Sequence, residues 1–373
     1  MEDKAAYDFV SHFSVLRDPR VNRRKRHRLE SILFIALCGV LCGVENWVEM
    51  EEFGKARREW FGKFIDLKNG VPSHDTFGRV FAQLDPKEFG KVFLEWIQAV
   101  YRKADREIIA IDGKTVCGTE DKARGWAALH VVTAWAHANR LILAQEKSTG
   151  GSNEIESVPR LLEILDLKGC IVTLDAMGCQ KDIAEKIREK EGDYVLALKG
   201  NQGLLHEDVR QYWDDPQLPK QEYDEYETAD KGHGRHEVRR CRISSRIKWL
   251  TVRKAWKGLQ SIGMVESERT INGQTTVQRR YYLSSLKADA RELAKAVRTH
   301  WEIENKAHWC LDVLFHEDRS RARLKFAAEN LALLRRLSLN LLRKDVAAKQ
   351  SLRIRRQMAG WKTEYLEHLL SLN

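Results

Sequence analysis

The chain has 373 residues, of which 43% are hydrophobic and 32% are charged. That apolar fraction is enough to build hydrophobic cores, which excludes a mainly disordered chain, and the length indicates two or three domains. Lysine and arginine number 64 against 54 aspartates and glutamates. The resulting net charge of +10 points to a polyanionic partner, most often a nucleic acid.

The helical and β-rich parts of the chain follow one another in a simple order. Residues 1–105 have apolar residues at helical spacing and predict a helical N-terminal domain with a role in DNA binding. Residues 106–212 predict five strands, at IIAID, LHVVTAWA, LILAQEKS, CIVTLDAMG and DYVLALKG, with helices before and after the fourth. This order indicates an α/β fold in which helices cover a mixed sheet.

A second β-rich segment interrupts the α/β part. Residues 213–282 predict a β-rich insertion, with a hairpin turn at Asn272-Gly273. Residues 283–345 return to helix and complete the core, and residues 346–373 read as a basic C-terminal tail. The start of the chain has no apolar signal core, and its longest apolar run, residues 32–44, is shorter than the roughly 20 residues of a membrane span. The seven widely spaced cysteines indicate reduced thiols, so we expect a soluble, cytoplasmic protein.

Three acidic residues form the candidate catalytic set. Asp112 and Asp175 each end an apolar strand, and Glu304 lies on the helix after the insertion. If the two strands are neighbours, their carboxylates meet at one sheet edge. Converging carboxylates suit two Mg²⁺ or Mn²⁺ ions, which support in-line phosphoryl displacement. Each acid taken alone is more often a turn residue or a solvated side chain.

Long sequence strings carry a family resemblance. They are VPSHDTFGRVFAQLDP at residues 71–86, IAIDGKTV, TLDAMGCQKDIA, YVLALKGNQ and HWEIENKAHWCLDVLFHEDRSR. The chain resembles bacterial insertion-sequence transposases of the DDE class, in particular the H-repeat-associated group, over nearly its whole length. The resemblance implies a ribonuclease H-like core and a metal-ion site formed by Asp112, Asp175 and Glu304.

The signature around the third acid departs from the wider class. Related transposases carry tyrosine, arginine and lysine at fixed offsets from this glutamate, where the present chain has Val297, His300 and Leu311. Candidate substitutes that would hold DNA beside the metals are His300, Asn305, Lys306 and His308. Glu317 is the alternative third acid and Glu302 a weaker one. His300, Glu304 and His308 also have the i, i+4, i+8 spacing of a zinc site, a less favoured alternative.

Three basic runs are candidates for contact with DNA phosphates. Residues 319–362 contain 13 lysines and arginines and only two acids, and we expect their arginines on the solvent face of a helix whose leucines pack on the core. The other runs lie at residues 23–28 and 231–242, and a KGNQ loop follows the fifth strand. The candidate DNA-binding residues are Arg23, Arg24, Lys25, Arg26, Lys199, Asn201, His233, Arg235, His300, Lys306, His308, Arg335, Arg336, Arg343 and Lys344.

The sequence therefore predicts a DNA transposase that cleaves element ends and joins the 3′-hydroxyls to target DNA with two Mg²⁺ or Mn²⁺ ions. Its partners would be double-stranded DNA and a second copy of the chain, in the bacterial nucleoid. A metal-dependent nuclease without strand transfer and an inactive DNA-binding remnant of a mobile element are the alternatives. Terminal sequences, target preference and the route of second-strand cleavage stay open.

Overall fold

One nine-stranded mixed sheet runs through the computed structural model of the protein. The structure describes residues 10–372 except residues 22, 24, 102, 149–153 and 233–234. The strands are β1 (Ile108–Val116), β2 (Leu129–Ala136), β3 (Leu141–Lys147), β4 (Ile171–Leu174), β5 (Asp193–Leu198), β6 (Asp224–Gly232), β7 (Arg235–Ser244), β8 (Ser261–Ile271) and β9 (Gln274–Ser284). Their order across the sheet is β3-β2-β1-β4-β5-β9-β8-β7-β6.

The first five strands are the ones that the apolar runs predict. Strand β1 pairs antiparallel with β2 and parallel with β4, and β4 pairs parallel with β5. All eight residues of β2 are buried, as expected of a strand covered on both faces. Helices α6 (Ser157–Ile164), α7 (Lys181–Glu189) and α8 (Leu204–Asp214) follow β3, β4 and β5. The predicted mixed sheet with covering helices is confirmed.

Strands β6 to β9, here called the four-stranded extension, continue the same sheet. Their link to the core is antiparallel pairing of β5 with β9, from Val195↔Ser284 to Leu198↔Tyr281. The β8–β9 hairpin turns at the predicted Asn272-Gly273, whose φ angles of 50° and 78° are the positive values of a tight hairpin turn. The sequence did not predict β6, because most of its residues are polar and exposed.

Of the helices whose bounds the structure describes, five precede the sheet: α1 (Leu29–Leu41), α2 (Trp47–Ala56), α3 (Arg58–Phe61), α4 (His74–Gln83) and α5 (Pro86–Val100). Every residue of α1 except Glu30 is buried, which explains its apolar character on all sides. Side chains of these helices and of the sheet belong to one hydrophobic core. A separate N-terminal domain therefore stays a prediction.

In the described part of the chain, five α-helices and a π-helical turn follow the sheet: α9 (Ala290–Glu302), the π-helical turn (Ile303–His308), α10 (Trp309–Val313), α11 (Ala327–Lys344), α12 (Leu352–Trp361) and α13 (Thr363–Ser371). Helix α11 packs against α1, α4 and β3, and 14 of its 18 residues are buried. The predicted basic tail forms α12 and α13, and Arg356 on α12 donates a 3.0 Å hydrogen bond to the carbonyl oxygen of Val40. Among the helices that the structure describes, none is long and apolar enough to cross a membrane.

Candidate active site

Asp112 and Asp175 lie side by side because their strands are parallel neighbours. The parallel pairing of β1 with β4 ends at Ile111↔Leu174, and each aspartate is the next residue. Strand β1 itself continues past Asp112 to Val116, paired with β2, so the predicted strand end is only the end of the β4 pairing. The Asp175 Oδ1 atom accepts hydrogen bonds from the backbone N–H groups of Met177 at 2.9 Å and Gly178 at 3.2 Å, which fix that carboxylate.

Glu304 reaches the same place from the helical side. Helix α9 packs across β1 and β4, and the π-helical turn that follows it carries Glu304. A π turn widens the helix locally and re-aims its side chains, a distortion often found at functional sites. Asp112, Asp175 and Glu304 all line one cavity of about 400 Å³, here called the carboxylate cavity. Lys199, His206 and Arg280 line it as well.

The carboxylates are crowded, and none is ion-paired to a lysine or arginine in the part of the chain that the structure describes. Burial, and then the negative charges of Glu154, Asp175 and Glu304, raises the pKa of Asp112 to about 8. Burial also raises the pKa of Glu304, against the opposing charge of Arg280. Among the residues that the structure describes, no lysine or arginine forms an ion pair with Asp112, Asp175 or Glu304. An oxygen-only donor set with uncompensated negative charge fits a hard divalent cation.

The three acids share a cavity without closing to coordination distance. Over the described ranges, no group of three histidine, cysteine, aspartate or glutamate side chains stands close enough to hold a metal ion. The predicted spacing for two ions about 4 Å apart therefore stays a prediction.

The zinc alternative has no more support than the carboxylate site. His300, Glu304 and His308 form no metal-binding group among the residues that the structure describes. The His300 Nδ1 atom lies 3.1 Å from the Thr173 hydroxyl, and burial lowers the pKa of His300 to about 4. The His308 Nδ1 atom lies 3.5 Å from the Asp112 carboxylate, and burial lowers the pKa of His308 to about 3.

Glu317, the alternative third acid, has a structural role. Its side chain is fully buried, with Oε1 2.8 Å from the Arg336 guanidinium and Oε2 3.9 Å from Lys114 Nζ. Glu302 is also engaged, at 2.7 Å from both His137 and Lys306. Neither glutamate lines the carboxylate cavity, so the geometry favours Glu304 as the third acid.

The expectation of an exposed arginine face on α11 is wrong. Arg335 and Arg336 are 3% and 0% exposed, because helices and strand β3 surround α11 and leave no solvent face. The half-buried Arg343 guanidinium lies 4.5 Å from the centre of the Trp135 ring and donates to the carbonyl oxygen of Lys306. The half-buried Lys344 ammonium lies 5.8 Å from the Trp96 ring.

The other predicted DNA-binding residues have varied environments. Arg23 and Arg26 are exposed, whereas the half-buried Lys25 lies 3.3 Å from Asp18. Lys199 is exposed at the carboxylate cavity, and Asn201 donates a 2.8 Å hydrogen bond to the carbonyl oxygen of Ala176, beside Asp175. The half-buried Lys306 pairs with Glu302. Arg24, His233 and the side chain of Arg235 lie outside the described residues.

A second cavity, of about 550 Å³, adjoins the first, and the sequence did not predict it. We call it the basic groove. It lies between α9 and the four-stranded extension and shares Gln278, Arg280 and Trp301 with the carboxylate cavity. Alternation along β9 puts Gln278, Arg280 and Tyr282 on one face. The Arg280 guanidinium stacks 4.3 Å from the centre of the Trp301 ring. Five further basic residues line the groove: Arg239, Arg269, Arg291, Lys295 and Arg298.

Comparison with known proteins identifies the family. Residues 103–341 match the family described as "Transposase DDE domain", and residues 10–97 match the associated family "DDE_Tnp_1-associated". The match covers most of the chain and includes Asp112, Asp175 and Glu304. The protein thus belongs to the DDE transposase family, as the sequence strings indicated.

Two bacterial relatives match along almost the whole chain. The "Putative transposase YncI" of Escherichia coli O157:H7 is 40% identical over 97% of this chain and 94% of its own length. The "H repeat-associated putative transposase YhhI" of Escherichia coli strain K12 is 37% identical over 97% of both chains. A solved structure of the piggyBac transposase synaptic complex with hairpin DNA aligns with a TM-score of 0.42 and 11% identity, over 99% of this chain and 77% of that chain.

Proposed function

We propose that this protein is an active DNA transposase, which cleaves DNA at the ends of its element and joins the freed ends to target DNA. The observation that carries the proposal is the uncompensated set of Asp112, Asp175 and Glu304 around one cavity. Transposases of this class generally depend on divalent metal ions. Bound to these carboxylates, two Mg²⁺ or Mn²⁺ ions would stabilise the attacking and leaving oxygens of phosphoryl transfer.

The core topology supports this proposal. In the order β3-β2-β1-β4-β5, strand β2 alone runs antiparallel to the other four. This arrangement agrees with the ribonuclease H-like core that the family resemblance implies. It brings two strand-borne carboxylates together at the centre of the sheet, where covering helices hold them rigidly. Rigid placement matters because phosphoryl transfer is catalysed mainly by positioning and electrostatics.

Two displacements at phosphorus would occur at this cavity. In the first, a water oxygen bonds to phosphorus, the bond to the 3′ oxygen breaks, and a 3′-hydroxyl end is released. In the second, that hydroxyl attacks a target phosphodiester, and the target's own 3′ oxygen leaves. Lys199 and Arg280 line the cavity and would contact the phosphate oxygens of the reacting strand.

The basic groove is the proposed path for DNA beside the carboxylates. On α9, Arg291, Lys295 and Arg298 follow i, i+4, i+7 spacing and are all exposed, so they form one basic face. The groove opens directly onto the carboxylate cavity, with which it shares Arg280 and Trp301. The exposed Arg23 and Arg26 would add contacts elsewhere on the DNA. Pairing two element ends would call for at least a dimer.

The direct test is cleavage of a supercoiled plasmid that carries the sequences flanking the gene. With Mg²⁺ or Mn²⁺, the wild-type protein should nick the element ends and yield joined products. Asp112→Asn should reduce both products to background, because it removes a ligand. The control Asp166→Asn should leave them unchanged, because Asp166 pairs with Lys103 away from the cavity.

Each alternative function gives a different result in the same assay. Cleavage at the wild-type rate by Asp112→Asn would refute the catalytic assignment. Nicking without joined products would identify a nuclease that lacks strand transfer. Binding by the wild-type protein without cleavage under either metal would identify a DNA-binding remnant.

A further inference from the structure

A buried glutamate lies directly behind Asp112. Glu154, which precedes α6, has a side chain that is only 10% exposed. Its Oε1 atom lies 3.0 Å from His130 Nε2, and His130 Nδ1 lies 2.9 Å from the Thr115 hydroxyl. Thr115 and His130 face each other in the β1–β2 pairing. The chain of contacts thus anchors the Glu154 carboxylate to the strand that carries Asp112.

The space around Gly113, the residue after Asp112, shows how close the Glu154 carboxylate lies to the backbone. A Cβ atom added at Gly113 would lie 2.0 Å from Glu154 Oε1 and 2.4 Å from His130 Nε2. Real side chains do not tolerate such distances, so glycine is required here for a steric reason. The Glu154 carboxylate therefore packs onto the backbone next to Asp112.

Glu154 acts on Asp112 from outside the cavity. It is absent from the residues that line the carboxylate cavity, so it does not face a substrate. In the part of the chain that the structure describes, no lysine or arginine forms an ion pair with Glu154, and its ionic contact is with His130.

We propose that Glu154 is a positioning residue of the catalytic centre, held by His130 against the Asp112–Gly113 backbone. It fixes the position of Asp112 and adds negative charge beside it, and so strengthens the binding of a divalent cation at Asp112. This inference rests on the proposed function, since it assumes that Asp112 is a metal ligand. Side chains in the shell around a metal ligand commonly affect metal affinity strongly.

The test measures Mn²⁺ affinity in the full-length protein without DNA, from the electron paramagnetic resonance signal of free Mn²⁺. Glu154→Gln keeps an acceptor for His130 and removes the charge, and it should weaken Mn²⁺ binding about 10- to 100-fold. The matched control is Glu107→Gln. Glu107 precedes β1 at the end remote from Asp112, is 2% exposed, and accepts a 2.8 Å hydrogen bond from the backbone N–H of Ala138. That variant should keep wild-type affinity.

A second readout separates this inference from the proposed function. In DNA cleavage, Glu154→Gln should need about tenfold more Mg²⁺ for half-maximal rate, and Glu107→Gln should not. Equal Mn²⁺ affinity and equal Mg²⁺ requirement for the two variants would overturn the role of Glu154 while leaving the transposase proposal intact. A wild-type protein that neither binds Mn²⁺ nor cleaves DNA would overturn both. If Glu154→Gln does not fold, Glu154→Asp replaces it, because its shorter side chain withdraws the carboxylate from His130 and Gly113 and should weaken Mn²⁺ binding in the same direction.

Discussion

Two glutamates thirteen positions apart have opposite environments. Glu304 is exposed at the rim of the carboxylate cavity, without a lysine or arginine partner among the described residues. Glu317 is fully buried between Arg336 and Lys114. Since a buried ion pair is costly to break and an exposed carboxylate is free to bind a ligand, the same residue type serves the fold in one place and the proposed chemistry in the other.

We predict opposite consequences for the two matched substitutions. Glu304→Gln should abolish DNA cleavage and leave the free energy of unfolding nearly unchanged. Glu317→Gln should lower the free energy of unfolding by about 3–5 kcal/mol, because it leaves Arg336 buried with an uncompensated charge. Urea denaturation combined with the plasmid assay measures both. A fully stable but inactive Glu317→Gln protein would instead make Glu317 the third acid.

The raised pKa of Asp112 predicts a pH-dependent instability. Its value of about 8 in the folded protein, against 3.8 ordinarily, means that folding takes up a proton between about pH 4 and pH 8. The stability that this group contributes therefore falls as pH rises through that window and stays low above it. Asp112→Asn should raise the melting temperature relative to wild type by several degrees near pH 8.5, and by little near pH 5.

Metal addition supplies the control for this pH effect. Mn²⁺ should raise the melting temperature of the wild-type protein near pH 8.5, since a cation offsets the carboxylate repulsion. The Asp112→Asn protein should lose most of this response. If the melting temperatures of the wild-type and Asp112→Asn proteins differ by the same amount at both pH values, Asp112 does not titrate in this range.

Helix α9, rather than α11, provides the exposed basic face. The leucine pattern of α11 predicts a helix, which is confirmed, but it is equally compatible with a helix buried on every side. Arg336 is buried because Glu317 reaches it from a distant turn, and no local pattern contains that information. On α9 the spacing of Arg291, Lys295 and Arg298 is readable in the sequence, and so is most of the β-rich segment, but the groove formed between them is not.

Neutralising this α9 face should weaken binding to all DNA sequences alike. We expect the Arg291→Ala, Lys295→Ala and Arg298→Ala triple variant to flatten the dependence of log affinity on log salt, by roughly 0.9 for each DNA phosphate that the variant no longer neutralises. The comparison variant neutralises Lys349, Arg353 and Lys362, exposed bases of the C-terminal segment. If only this second variant flattens the slope, the DNA follows the C-terminal helices instead of the basic groove.

Short-range patterns predicted the strands that carry the two aspartates better than their surroundings. Asp112 and Asp175 were identifiable because each directly follows an apolar run that forms a strand. Parallel pairing of neighbouring strands then places the two residues side by side. The π turn around Glu304 was not identifiable, since WEIENKAHW reads as ordinary helix. Glu154 gave no signal either, because its contacts with Gly113 and His130 join residues far apart in the sequence.

At the scale of the whole molecule, the N-terminal helices depend on the C-terminal ones. Helix α1 is buried on nearly all sides, partly by α11, and Arg356 of α12 donates to its Val40 carbonyl oxygen. We predict that a fragment of residues 1–105 shows no cooperative thermal transition by circular dichroism, because α1 would expose its apolar faces. The full-length chain is the reference. A cooperative transition in the fragment would confirm the separate N-terminal domain that the sequence suggested.

The pairing of β5 with β9 is the place in the sheet where the four-stranded extension could tilt relative to the core strands. Within the sheet, four residue pairs join β5 to the four-stranded extension, whereas eleven pairs join β8 to β9. Strand β9 carries Arg280 on the boundary of both cavities, and β5 leads directly to Lys199. A force on DNA bound in the basic groove would therefore tend to rotate the four-stranded extension about the short β5–β9 pairing. Tilting the extension would change the spacing between Arg280 and the carboxylates. Under the proposed function, bound DNA would thus help to set the geometry of the centre that cuts it.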